Sequence, residues 1–591
     1  MEIRKPHIIT FILFLGILFL LSSCRTKNEK PNILLILTDD QGYGDLSMNG
    51  NPYLETPNLD QLASEGAHFT NFYVSPVCAP TRASLLTGRY HQRTGVSGVT
   101  RGRENMKLDE KTMADYLKAE GYQTACFGKW HNGAHYPYHP NGRGFDEFYG
   151  FTAGHLSNYY QPVLEHNGEE VIPEGYITDI LSEKAIDFIR KSDEENAPFF
   201  CYLAYNTPHT PVQVDDKYYD KYKAMGLPDF DAGIYGMMEN IDDNVALVLN
   251  EIEELNIKNH TIVIFLSDNG PLNFRYNAGF KGRKGSVDEG GMRVPCFIRW
   301  PSYIQAKTQI TQVSAHIDLL PTLLEMINSQ TPQKNRMDGK SLVPQMLRNA
   351  GNEDRLLFQE WSGKRSVRSQ DYLMVDQELF HLQSDSCQKT NIALLHPELM
   401  KEYQSKWQEW YQEVNNKENE TAAIPVGHRK FPKTILPAHE SVLFPPFEFR
   451  KDRKLTGIAY HAKYGWAHDW IDFWTKTEAY AEWNIDILEE GNYQVTLSYN
   501  CKPENTGTVL NISAGQAQLV TEIDEPFVSE VHASFDRIER AQEAPTKTWA
   551  KHQAGIIHLD KGKSTFQVKT QNMTGPESIE LKEIQVTQIE Q

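Results

Sequence analysis

Four short stretches of this chain are apolar almost without interruption: residues 33–37 (ILLIL), 124–127 (TACF), 199–205 (FFCYLAY) and 262–266 (IVIFL). A run this short with no polar face reads as a strand buried on both sides, the kind found in a parallel sheet covered by helices. Helix-like stretches fall between and around them, at residues 58–65, 111–120, 179–191 and 235–255. The alternation predicts an α/β domain. In open sheets of this class, ligands sit beyond the carboxyl ends of the strands. The residues that follow each run are therefore the first candidates for function.

They are all polar or ionisable. Thr38-Asp39-Asp40-Gln41 follows the first run and Gly128-Lys129-Trp130-His131 the second. Asn206-Thr207-Pro208-His209 and Ser267-Asp268-Asn269-Gly270 follow the other two. Asp39, Asp40 and Asp268 brought to one edge repel one another unless a cation holds them. With Asn269 they form an oxygen-only set, which suits Ca²⁺ or Mg²⁺ better than zinc. Taken one at a time, an Asp pair after a strand also serves as a helix cap, and each basic residue reads as surface or as a packed histidine. Together, Lys129, His131 and His209, with Arg82 and Lys284, add the positive charge and proton transfer of an anion-processing site.

Residues 77–90 read VCAPTRASLLTGRY. Pro80 fits the first position of a helix and Gly88 its stop. Cys78 is then expected just ahead of a helix N-terminus, where free N–H groups favour an anion. The alternative is a small buried cysteine.

The chain's 591 residues leave room for several domains. The α/β domain is expected over 25–345, with a smaller mixed α+β subdomain over 346–430. Beyond 431 the pattern changes to period two, as in NYQVTLSYNC and STFQVKT, which predicts an antiparallel sandwich over 431–591. At the start, Arg4 and Lys5 precede an apolar run over 8–21 and then Ser22-Ser23-Cys24. That is the layout of a secretory signal, too short for a membrane span. Cys24 after two small residues resembles a bacterial lipoprotein box, implying a lipid anchor at Cys24 and an exported protein in the periplasm or on the cell surface. The alternatives are an ordinary signal peptide or an uncleaved anchor. A net charge of −19 argues against nucleic acid as a partner. The seven cysteines show no metal spacing and no disulfide framework, and Cys126, Cys201 and Cys296 read as core.

The motif CAPTR followed by LLTGR resembles the signature of type I sulfatases. The resemblance runs over most of residues 31–390 and takes in PNILLILTDDQGYGDL, GKWHNG, NTPHTP, SDNG, GRKGSVDEGGMRVP and ELFHLQSD in family order. It implies an alkaline-phosphatase-like fold with a central mixed, largely parallel sheet. It also implies that a maturating enzyme oxidises Cys78 to formylglycine (3-oxoalanine). In such enzymes one hydroxyl of the aldehyde hydrate attacks sulfur and the alcohol leaves; deprotonation of the other hydroxyl then expels sulfate. Position by position, Asp39, Asp40, Asp268, Asn269 and residue 78 match the Ca²⁺ ligands. Arg82 and Lys129 match the groups that hold the hydrate. His131 matches the base, His209 the acid on the leaving oxygen, and Lys284 a second cation on the sulfate.

Asn132 stands where an apolar residue is usual and Asp288 where an aromatic is common; both are candidates for shaping the substrate pocket, as are His135, His139, His155 and Asn158. The sandwich resembles galactose-binding-like modules of glycan-active enzymes, and Trp466, Trp470, Trp474 and Trp483 there serve either sugar stacking or core packing. The expected function is hydrolysis of sulfate esters of saccharides. The alternatives are a phosphate or phosphonate ester hydrolase and a catalytically dead glycan-binding lipoprotein.

Overall fold

The computed structural model describes residues 30–348, 355–415, 421–445, 453–462, 464–540 and 543–589. The signal-like segment and Cys24 lie outside the described residues. No helix among the described residues is long and apolar enough to cross a membrane.

All four apolar runs become neighbouring or near-neighbouring strands of one ten-stranded sheet. Asn32–Thr38 lies at its centre, parallel to Phe199–Ala204 on one side and to Thr261–Ser267 on the other. Gln123–Lys129 pairs in parallel with Phe199–Ala204 and Glu147–Phe151. Antiparallel pairing enters only further out, where Cys296–Arg299 meets Thr261–Ser267 and Leu164–His166 meets Glu147–Phe151. The sheet is thus mixed and parallel at its core, as expected.

Burial on both faces explains the unbroken apolar runs. Leu34 and Ile36 face a core built with helices Ile177–Glu194 and Asp229–Glu254. Ile33, Leu35 and Leu37 face the opposite core, under helices Cys78–Thr87, Met113–Ala119 and Leu319–Met326. All five side chains are fully buried, each contributing about 1.5–3 kcal/mol.

A four-stranded antiparallel sheet, Leu357–Trp361 through Glu378–His381, packs with helix Pro397–Val414 as the smaller subdomain. The sandwich follows as two six-stranded sheets. It takes its first strand, Ile424–Val426, from before residue 431, because that strand pairs in parallel with Tyr480–Ile487. Trp470, Trp474 and Trp483 are fully buried in the sandwich. Their role is core packing rather than sugar stacking. Trp466 is half-buried and stacks on Tyr464 at 5.0 Å. The six described cysteines are all free, with Cys126, Cys201 and Cys296 fully buried.

Candidate active site

The carboxyl ends of the four central strands do converge. Asp39 N–H donates to the Thr207 carbonyl and Asp268 N–H to the Thr38 carbonyl, both at 3.1 Å, tying the post-strand turns together. Asp40 (φ 66°) and His131 (φ 60°) occupy the left-handed backbone region, a strain of about 1–3 kcal/mol each that functional sites commonly hold.

Cys78 is itself the first residue of its helix, not a residue ahead of it, and Pro80 is the third. Extended Val77 caps the helix, and Gly88 ends it at φ 68° as expected. The shift changes little: Cys78 still sits in the first turn, only 4% exposed, where backbone N–H groups lack helical partners. Its sulfur is close enough to Arg82, Asp268 and Lys284 to bias the ionisation of all three. Arg82, fully buried, donates through Nε (3.1 Å) and Nη2 (2.9 Å) to Asp268 Oδ2, and through Nη1 to the Lys129 carbonyl (2.8 Å). Lys129 Nζ lies 2.6 Å from Asp39 Oδ2, and Lys284 Nζ 2.6 Å from Asp40 Oδ1.

Burial disfavours ionised Asp39, yet Lys129, His209, Arg82 and Lys284 outweigh it and hold the carboxyl far below the usual range. Asp268 goes the other way: burial, then the charge of Asp39, pushes it well above that range. Carboxylates this crowded call for a further cation. The donor set agrees. Asp39 Oδ1, Asp40 Oδ2 and Asn269 Oδ1 are buried oxygens without a hydrogen-bond partner, and Asn269 Nδ2 donates to Asp40 Oδ1 at 2.8 Å, which orients its own oxygen. Asp268 already accepts from Arg82 and, through Oδ1, from Asp40 N–H at 3.2 Å; each oxygen keeps a further lone pair. Ligand atoms of Asp39, Asp40 and His209 also lie within 4.8 Å of one another. Hard cations select the oxygens of that group, not the imidazole.

The two histidines differ in tautomer. His131 Nε2 lies 2.9 Å from the Val99 carbonyl and so carries the proton, leaving Nδ1 as a buried acceptor with no partner. Burial, then Lys129, pushes this imidazole down to about 3. His209 Nδ1 donates to the Thr210 carbonyl at 2.7 Å, which turns Nε2 toward Asp40 Oδ2 at 3.8 Å.

The remaining candidates separate. Asn132, fully buried, donates to the Ala79 carbonyl at 3.1 Å and braces the Cys78 helix. Asp288 accepts from Ser286 Oγ (2.5 Å) and Gln388 Nε2 (3.0 Å), at the cap of the short helix Glu289–Met292. Neither lines a described cavity. His139 pairs with Glu165 at 2.5 Å. Asn158 keeps a buried, unpartnered Oδ1. His155 lies parallel to His209 with centroids 6.2 Å apart, and His135 donates to the Ile435 carbonyl of the sandwich at 2.7 Å. Asn206, named in the run after its strand but given no role there, has both amide atoms buried without partners. Glu104, His439 and His468 carried no signal in the sequence.

The sulfatase family model matches residues 31–329. This chain belongs to the sulfatase family, the enzymes that hydrolyse sulfate esters. A second model, N-sulphoglucosamine sulphohydrolase C-terminal, matches residues 282–412. Among curated relatives, N-acetylgalactosamine-6-sulfatase of Mus musculus is 33% identical over 360 residues, covering 54% of this sulfatase and 67% of the mouse protein. The Sus scrofa protein of the same name is 35% identical over 354 residues, covering 54% and 66%. The chain thus spans about two thirds of the length of these relatives. Ps i-CgsB, solved in complex with k-i-k-neocarrahexaose, is 31% identical with a TM-score of 0.63, covering 66% of this chain and 94% of that one.

Proposed function

We propose that this protein is an exported, calcium-dependent sulfatase that removes sulfate from saccharides, matured by oxidation of Cys78 and anchored by lipid at Cys24. The observation that carries the reading is the convergence of Cys78, three partnerless oxygens and three buried or half-buried cations in one site. Residue 78, as hydrated 3-oxoalanine, supplies the nucleophilic hydroxyl. Ca²⁺ held by Asp39, Asp40, Asp268, Asn269 and residue 78 supplies fixed positive charge for the sulfate oxygens.

The chain's own side chains do the rest. Arg82 and Lys129 fix the turn around residue 78 through Asp268 and Asp39. Lys284, held charged by Asp40 despite its burial, is placed to neutralise a sulfate oxygen. His131 takes up a proton at Nδ1, since its Nε2 is committed to Val99. His209 offers its proton at Nε2, with Asp40 on hand to stabilise the imidazolium. Water is largely excluded, because Asp39, Asp40, Arg82, Lys129 and Asp268 are essentially unexposed. The saccharide part draws on the relatives named for N-acetylgalactosamine 6-sulfate and on the neocarrahexaose complex.

Mass analysis of the Cys78 peptide from native-host protein, with sulfate and phosphate release from matched esters, tests this. A mass corresponding to 3-oxoalanine and preferential sulfate release are expected. An unmodified thiol throughout, or preferential phosphate release, refutes it.

A further inference from the structure

Neither family match reaches the sandwich, since the second ends at residue 412 and the sandwich begins at Ile424. The sandwich nonetheless grips the site from two sides. His468 donates to the His155 carbonyl at 2.9 Å, directly behind the ring that lies along His209. Lys582 holds the His468 carbonyl in turn. On the other side, Thr210, next to His209, donates to Glu543 at 2.5 Å, and Arg537 N–H donates to the Val212 carbonyl at 2.9 Å.

A cavity of about 250 Å³ lies between the two bodies. That is near the lower end of ligand pockets, which begin at about 300 Å³, and leaves room for a single small ring. Glu104 and His131 of the catalytic domain line it, opposite His439, Glu440 and His468 of the sandwich. Apart from His131 Nδ1, which serves the reacting centre, two of these residues carry a polar atom with no partner: Glu104 Oε2 and His439 Nδ1. Both residues are 8% exposed. A buried polar atom left unpaired is costly. Two facing each other across one cavity, one from each body, mark a place that a ligand's own donors and acceptors complete. Burial pushes both Glu104 and Glu440 up to about 7, so near neutrality these carboxyls donate as well as accept. Neutral imidazoles and half-protonated carboxyls match hydroxyl groups, each of which is donor and acceptor at once. Because His131 belongs to both the cavity and the reacting centre, the group seated here lies next to the ester.

Resting on the sulfatase reading above, we propose that this cavity is the subsite for the sugar ring that carries the sulfate ester, and that His439 and Glu440 of the sandwich select that ring. The family's catalytic fold then supplies the chemistry and the appended module supplies part of the specificity.

The test uses the full-length matured protein and its His439→Ala and Glu440→Gln variants. Saccharide turnover is read with N-acetylgalactosamine 6-sulfate and a neocarrahexaose. Inhibition by inorganic sulfate serves as a probe that occupies the reacting centre without a sugar. Each variant is expected to lose about tenfold or more in kcat/KM on the saccharide that wild type cleaves. Inhibition by sulfate stays within about twofold of wild type. Glu440→Gln conserves shape, so a loss there does not stem from misfolding. Unchanged saccharide kinetics in both variants overturn the subsite and leave the sulfatase reading standing, as does a parallel loss of saccharide turnover and sulfate inhibition. Wild-type protein that cleaves 4-nitrophenyl sulfate but neither saccharide overturns the subsite and the saccharide reading together. No sulfate release from any of the three overturns the function itself.

Discussion

Replacing Glu104 by Gln removes one titration from the protein and leaves the shape of the site almost unchanged. In the folded chain Glu104 is pushed up from 4.5 to about 7, first by burial and then by the charge of Glu440. Its folded form therefore binds a proton more tightly than its unfolded form. A raised pKa contributes stability that is fully present below pH 4.5 and is lost as pH rises through 7. At 1.36 kcal/mol per unit, the loss across that window is about 3 kcal/mol. The assay is urea denaturation of wild type and Glu104→Gln at about pH 4.5 and about pH 8, comparing the change with pH in each. Other titrating groups contribute to both proteins and cancel in the comparison; Glu440, the charged neighbour of Glu104, is itself raised by burial, which the substitution leaves in place. Wild type is expected to lose about 3 kcal/mol more than the variant on going to the higher pH. Parallel pH dependences refute the reasoning: Glu104 is then solvated and ionised throughout, and the cavity beside it is not a low-dielectric pocket.

Two further perturbations follow from the site geometry. A Cβ on Gly154 meets His131 Nε2 at 2.7 Å and Cε1 at 2.9 Å. Because Val99 and a strained backbone already fix that ring, Gly154→Ala is expected to displace it and lower kcat by about tenfold to a hundredfold with the melting temperature little changed; an unaltered kcat shows that the ring has slack. Removing divalent cations leaves the buried oxygens Asp39 Oδ1, Asp40 Oδ2 and Asn269 Oδ1 without a partner, so chelation is expected to lower the thermal transition, and added Ca²⁺ at 100 times its Kd to restore about 2.7 kcal/mol. Scanning calorimetry with and without Ca²⁺ reads this, and superimposable traces refute a structural cation at these residues.

The parallel sheet was legible because its signal is local. A strand buried on both faces must be apolar at every position, and residues 33–37 and 262–266 meet that demand within five residues each. The post-strand acids and bases were legible for a related reason: strand ends have a fixed topological destination, so Asp39, Lys129, His209 and Asp268 were bound to meet. The start of the Cys78 helix missed by two residues, since Pro is accepted anywhere in a first turn where N–H groups lack partners and does not fix which position it holds. The contribution of His439, Glu440 and His468 was not legible at all. These residues lie some three hundred positions from the histidines they approach, in a short 3₁₀ helix and a turn between the strands of the sandwich. Pairing across domains is set by tertiary docking, which leaves no period in the chain. Asn132 shows the converse limit. Its departure from the family pattern pointed to the pocket, while its amide in fact holds the Ala79 carbonyl.

The charge arrangement reconciles an acidic protein with an anionic substrate. At the reacting centre Asp39, Asp40 and Asp268 face Arg82, Lys129 and Lys284, carboxylates and cations in equal number and each joined to a partner. With all three carboxyls ionised, such a centre is electrically balanced and does not by itself attract sulfate; burial and the charge of Asp39 work against the ionised form of Asp268, which a bound cation favours. One divalent cation on the partnerless oxygens tips it to a net positive charge inside a low-dielectric site, where each charge acts far more strongly than in water. The overall charge of −19 is spread over a surface that salt screens beyond about 8 Å at physiological ionic strength. Short-range attraction within the cleft thus coexists with long-range repulsion from the surface. Raising ionic strength from low to physiological levels is therefore expected to leave capture of a sulfated saccharide unchanged or to increase it, opposite in sign to an enzyme that gathers its anion by surface steering. A steep fall in kcat/KM with salt places the attracting charge on the surface and contradicts this account.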